Sequence, residues 1–181
     1  MENYLVIITF ACSVLAIAFA AIMALRVLKM PEGTDQMKKL SAAIRKGASA
    51  YLKRQYSIVV IFFAAMFVVL CVMAYFGLLN WCVPFAFVTG GFFSGLSGFV
   101  GMKIATAANA RTANACRSGL NKGLRAAFSA GSVMGFTVVG LGMLDITIWF
   151  FLLRYAFGIT DATTLGNIMV MNGMGASFMA L

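Results

Sequence analysis

The side chains that could do chemistry in this chain are few and far apart. Five carboxylates, Glu2, Glu32, Asp35, Asp145 and Asp161, are scattered through 181 residues, and histidine is absent. Magnesium-dependent phosphoryl chemistry needs several carboxylates on one point, because Mg²⁺ takes oxygen ligands and the phosphate charge must be neutralised. No P-loop is present, and no nucleophile–base pair can be assembled from so few ionisable groups. The four cysteines, Cys12, Cys71, Cys82 and Cys116, lack metal-ligand spacing and lie too far apart to suggest a disulfide framework.

A smaller set of candidates remains. Asp145 is the one acid within a long apolar run. An acid at that depth carries a proton, binds a cation, or is hydrogen-bonded between helices. The last reading is preferred, because no second ionisable group in the chain shares its depth. Arg154 lies nine residues on, which places Asp145 about 13 Å deeper and on the opposite helix face. Asn172 and Ser177 sit in a later, more polar run with Gly173 and Gly175. Such a run faces water or an ion, or it hydrogen-bonds to neighbouring helices. Arg111 and Arg117 sit in a polar, basic stretch and could meet a phosphate; the plainer reading is the wetted end of a packed helix.

The elements that hold these groups follow from hydropathy and charge. The chain is 62% hydrophobic and 10% charged, with mean hydropathy +0.97, which is the composition of a polytopic membrane protein. Thirteen of its fourteen lysines and arginines fall within Arg26–Arg54 and Lys103–Arg125. Basic clusters beside membrane spans stay on the cytoplasmic side. This accounts for the net charge of +9, and without aromatic-interleaved basic motifs it gives no argument for nucleic acid. The spans expected are about 4–25, 56–79, 81–102, 126–153 and 162–181, with 26–55 and 103–125 in the cytoplasm and the N-terminus outside. A run near 20 apolar residues crosses a bilayer as helix, and continuous rather than alternating apolarity excludes a barrel. The fold class is therefore all-α: one transmembrane domain of about five helices with cytoplasmic helix extensions.

Local signals refine this outline. Thr34 is placed to cap a helix, with Asp35 in its first turn. No proline follows until Pro84, so the second helix is expected to run about 40 residues, roughly 60 Å. Met37, Leu40, Ile44, Ala48 and Tyr51 recur along it at helical spacing. Small residues form two stripes that predict close helix packing. One is Gly91, Gly95, Gly98 and Gly101 in the third helix; the other is Gly119, Gly123, Ala127, Gly131 and Gly135 in the fourth. The fifth run has no basic flank, which predicts that these residues open a longer protein. The N-terminus is not transit-like, which suits a prokaryotic plasma membrane.

Three stretches carry a family resemblance. They are Ser97-Gly-Phe-Val-Gly-Met-Lys-Ile-Ala-Thr-Ala-Ala-Asn-Ala-Arg-Thr-Ala113, the continuation through residues 117–136, and Ile44-Arg-Lys-Gly-Ala-Ser-Ala-Tyr-Leu-Lys-Arg-Gln-Tyr56. Together they resemble the membrane-integral inorganic pyrophosphatases. The resemblance implies hydrolysis of inorganic pyrophosphate coupled to pumping of H⁺ or Na⁺. It also implies use of Mg²⁺, in some members K⁺, and a homodimer of helical bundles in the lipid bilayer. It places the first four helices in an outer ring and the fifth in the inner ring around the ion path. The family's acidic DVGADLVGK-like signature would come after Leu181, so no catalytic or metal residue is expected here. The ending Gly175-Ala-Ser-Phe-Met-Ala-Leu181 resembles the stretch where the family keeps a serine near its ion gate, which makes Ser177 the gate candidate. Asp145 matches none of the family's functional motifs. The competing readings are a small non-enzymatic channel subunit or scaffold, and a degenerate partner of a full-length pump.

Overall fold

The computed structural model describes residues 2–180. Five helices follow in order: α1 Glu2–Leu28, α2 Asp35–Tyr75, α3 Cys82–Arg117, α4 Leu120–Phe151 and α5 Ala162–Ala180. No strand occurs among the described residues. The chain is a multi-pass membrane protein. Helices α1 to α4 are each long and apolar enough to cross a bilayer; α5, with 19 residues, is not among them.

The helix ends agree with the local chemistry. Thr34 caps α2, its hydroxyl accepting from the Met37 N–H at 3.4 Å. With no proline to interrupt it, α2 runs 41 residues, well beyond a bilayer's thickness. Helix α4 closes in one wider turn, Leu152–Ala156, where the Phe157 N–H reaches back five residues to the Leu152 carbonyl at 3.1 Å. That turn buries Leu153 completely. Asp161 then caps α5, accepting from the Thr164 N–H at 2.8 Å and its hydroxyl at 2.6 Å. These hydrogen bonds hold the Asp161 carboxyl below the usual aspartate range.

Helix α3 is the axis of the bundle. Helices α2, α4 and α5 all pack on it, and α1 packs on α4. The apolar core lies near the non-basic end, where Leu70, Val83, Ala86, Phe87, Trp149, Leu153 and Ile168 are buried together. Helix α5 reaches α3 through backbone contact at two points. A Cβ at Gly90 would collide with the Asn172 carbonyl, and one at Gly175 would collide with the Phe87 carbonyl. No other residue fits between these two backbones.

Two expectations about helix faces need correction. The stripe on α4 packs only in part. Gly123 is buried against Cys116 of α3, but Gly119 precedes the helix, and Gly131 and Gly135 face open space. A further close approach falls outside the stripe at Gly140, against Ala16 and Ile17 of α1. Periodicity picks out a face, but it does not say whether a neighbour of this chain lies on it. On α2, Leu40 and Tyr51 are exposed, while Ser41 and Leu52 are buried. The turning point is Tyr56, whose hydroxyl donates to the Gly95 carbonyl at 2.6 Å. Phe63 lies over Gly91, and Arg45 is tied to Glu32. Positions 45, 52, 56 and 63 share one helical face, so those contacts set the rotation of α2.

The backbone contacts give a direct test. Gly175→Val should lower the stability of the purified protein in detergent by about 3 kcal/mol, because the added atoms meet backbone rather than a movable side chain. Gly142→Ala, at a helical site with nothing nearby, should be neutral or stabilising by about 0.5–1 kcal/mol. Thermal unfolding of the two variants checks both.

Candidate functional site

The most buried polar groups meet where α3, α4 and α5 come together. Asp145 is 4% exposed and Asn172 is 2% exposed. The Asn172 side-chain amide donates to Asp145 Oδ2 at 2.9 Å and to the Ala86 carbonyl at 3.1 Å. Thr89 Oγ1 is the third neighbour of that amide nitrogen, at 3.5 Å. All three neighbours are oxygens that can accept, so the amino group rather than the carbonyl of Asn172 must point at them. Thr89 in turn donates to the Ala86 carbonyl at 3.0 Å and accepts from the Trp149 indole N–H at 2.6 Å. The network joins three helices through side chains that are each satisfied within the protein.

Spacing made this meeting possible. Asp145 lies nine residues before Arg154, and Asn172 lies ten residues after Ala162, the start of α5. Counted from the same end of the bundle at 1.5 Å per residue, the two lie at similar depth. That agreement in depth was the available signal for pairing them. Thr89 and Trp149 gave none, since each is an ordinary residue of an apolar helix.

Ser177 is on the other side of α5. It is exposed, five residues from Asn172 and so about 140° around the helix. The buried back of α5 carries Ile168, Asn172 and Gly175, while the exposed front carries Thr163, Asn167, Gly173 and Ser177. One face of α5 is thus committed to the scaffold, and the other is open and mixed, with Val170 and Met174 exposed among the polar residues.

The arginines form a second centre at the basic end. Glu32, in the turn between α1 and α2, pairs with Arg45 at 3.0 Å and with Arg111 at 3.0 Å. Arg111 also donates to the Met30 and Leu28 carbonyls, both at 3.1 Å, and to the Ala107 carbonyl. Asn114 adds a bond to the Pro31 carbonyl at 3.3 Å. Arg111 therefore closes the C-terminal end of α1, where carbonyls lack helical partners. Sequence reasoning missed Glu32 and Arg45, because their encounter depends on the turn at Pro31–Gly33. Arg117 is apart from this cluster, exposed in the last turn of α3, where a cation suits the helix end. Among the described residues no three acidic or cysteine side chains converge, so these residues do not fit a magnesium site.

The comparisons with known proteins bear on this arrangement. The family model described as inorganic H⁺ pyrophosphatase matches residues 14–181. The chain belongs to this family. A Bacteroides thetaiotaomicron protein with the provisional name K⁺-stimulated pyrophosphate-energized sodium pump is 50% identical, covering all of this chain and 26% of that protein. A K⁺-insensitive pyrophosphate-energized proton pump of Moorella thermoacetica is 40% identical over 94% of this chain and 24% of its own length. A K⁺-stimulated pyrophosphate-energized sodium pump of Thermotoga maritima is 34% identical over 87% of this chain and 21% of its own. The chain thus spans about a quarter of the length of the relatives it matches.

The Glu32 cluster carries a pH prediction. Donation from Arg45, then the charges of Arg45 and Arg111, hold the Glu32 carboxyl below the usual glutamate range. A depressed folded-state value means the cluster stabilises the protein above the unfolded value of about 4.3 and loses that effect as pH falls through the lower folded value. Wild type should therefore melt higher than Glu32→Gln at pH 7. The two melting curves should converge as the pH is taken below about 4.

Proposed function

We propose that this chain is the N-terminal part of a pyrophosphate-energised pump for H⁺ or Na⁺, contributing scaffold helices and the first helix of the ion path. The observation that carries this reading is the identity across the whole chain to a protein named as such a pump. The basic end, bearing Arg26–Arg54 and Lys103–Arg125, faces the cytoplasm by the positive-inside rule, and the N-terminus faces outward. The membrane is a prokaryotic plasma membrane, and the complete protein is a homodimer.

Ser177 is assigned near the ion gate by the resemblance of residues 175–181 to the family's gate stretch, and its exposure on the open face of α5 supports that assignment. Asp145 and Asn172 belong to the scaffold side of the same helix. Arg117, exposed among cytoplasmic basic residues, is the better placed of the two arginines to meet phosphate, since Arg111 is engaged with Glu32 and three carbonyls. The surrounding positive field raises the local concentration of an anionic substrate. Mg²⁺, and K⁺ where it is required, would be held by residues outside these 181, and the hydrolytic step belongs to those residues too.

The test compares two proteins in membrane vesicles. The complete gene product should hydrolyse pyrophosphate and acidify the vesicles or load them with Na⁺. The 181-residue segment should do neither. Hydrolysis by the segment alone, or a stop codon directly after codon 181 in the gene, would sink this reading and favour a scaffold or partner subunit.

A further inference from the structure

We propose that Asp145 and Asn172 are positioning residues that set the register of α5 against α3 and α4, and with it the placement of Ser177. The inference rests on the pump reading for the role of Ser177, but the lock itself stands on geometry alone.

Helix α5 needs such a lock. Its contact with α3 at Gly90 and Gly175 is backbone against backbone. Apolar side chains flank that contact, with Met179 over Gly95 and Phe178 beside Phe87, and apolar packing is non-directional. A directional bond adds what such packing lacks. The Asn172 amide is held by acceptors from two helices, Asp145 of α4 and the Ala86 carbonyl of α3. Neither a rotation of α5 nor a slide of one residue keeps both bonds. Thr89 and Trp149 tie the α3 and α4 sides to each other, so the lock has a rigid seat. Ser177 lies about 7.5 Å further along α5 and about 140° around it. Any error in register at Asn172 is carried to Ser177 undiminished.

The same geometry assigns Asp145 as an acceptor rather than a carrier. It is 4% exposed, and its Oδ2 faces a neutral amide that asks only for an oxygen lone pair. A neutral amide oxygen at position 145 would serve equally well.

The experiment uses the complete pump in membrane vesicles, with Asp145→Asn, Asp145→Leu, Asn172→Leu and Thr89→Val. Asp145→Asn keeps the acceptor and should leave hydrolysis and ions moved per pyrophosphate within about twofold of wild type. Asp145→Leu and Asn172→Leu should keep KM for pyrophosphate but lower ions moved per pyrophosphate by about tenfold, as a misplaced group does. The Trp149 contribution to emission, taken as the difference from the same variants carrying Trp149→Phe, should shift in the leucine variants and in Thr89→Val, and should not shift in Asp145→Asn. If the leucine variants are not recovered, Thr89→Val carries the test, with lowered coupling at normal yield as the expected result.

Loss of transport in Asp145→Asn would overturn the proposal in favour of a titrating carrier. Unchanged coupling in the recovered variants would overturn it as well, as would losses that track folded yield alone. Should wild type hydrolyse no pyrophosphate, the pump reading fails separately. In that case a shifted Trp149 emission in Asn172→Leu still supports the lock, and an unshifted one refutes it.

Discussion

Inside a bilayer a polar side chain must find its partners within the protein, because the lipid offers none. The rest of this bundle is arranged around that requirement at one place. Asn172 brings an amide into the apolar interior, and three helices converge to satisfy it: α3 with the Ala86 carbonyl and Thr89, α4 with Asp145 and Trp149, and α5 with Asn172 itself. The glycines at 90 and 175 let the backbones come close enough for those bonds to form. Apolar packing around Phe87, Leu153 and Ile168 then closes the region to lipid. The short α5 is held in the bundle by these contacts.

At the basic end the chain solves a different problem with charge. Repulsion among clustered lysines and arginines would spread the ends of α1, α2 and α3. A single acid, Glu32, draws Arg45 and Arg111 onto the turn between α1 and α2. Arg111 then spends its remaining donors on carbonyls that a helix end leaves open. A planar guanidinium with five donors can serve all these acceptors at once, which an ammonium could not. The result ties three helices together outside the apolar region, as the Asn172 network does within it.

Membership of the pyrophosphatase family and the absence of converging acids among the described residues are compatible once the chain is seen as about a quarter of its relatives' length. Helix α5 shows the division of labour within that quarter. Its back is built into the scaffold, and its front exposes Thr163, Asn167 and Ser177 together with Val170 and Met174.

What the amino-acid sequence determined by itself was everything that depends on local chemistry and on the bilayer. Apolar run lengths settled an all-α membrane bundle, Thr34 and the lack of proline settled the start and length of α2, and the motif around Ser97–Ala113 pointed to the family. Tertiary structure alone decided which faces meet. The α4 stripe packs at Gly123 but is open at Gly131 and Gly135, while Gly140 and Gly90, outside the expected stripes, carry further close contacts. Asp145 was visible as an acid held between helices and Asn172 as a polar residue facing either water or a neighbour, but not as partners. Helical periodicity records the direction of a side chain about its own axis, and hydropathy records its depth. Neither records which helix stands on that side, because in lipid every apolar face is equally content against a neighbour or against an acyl chain.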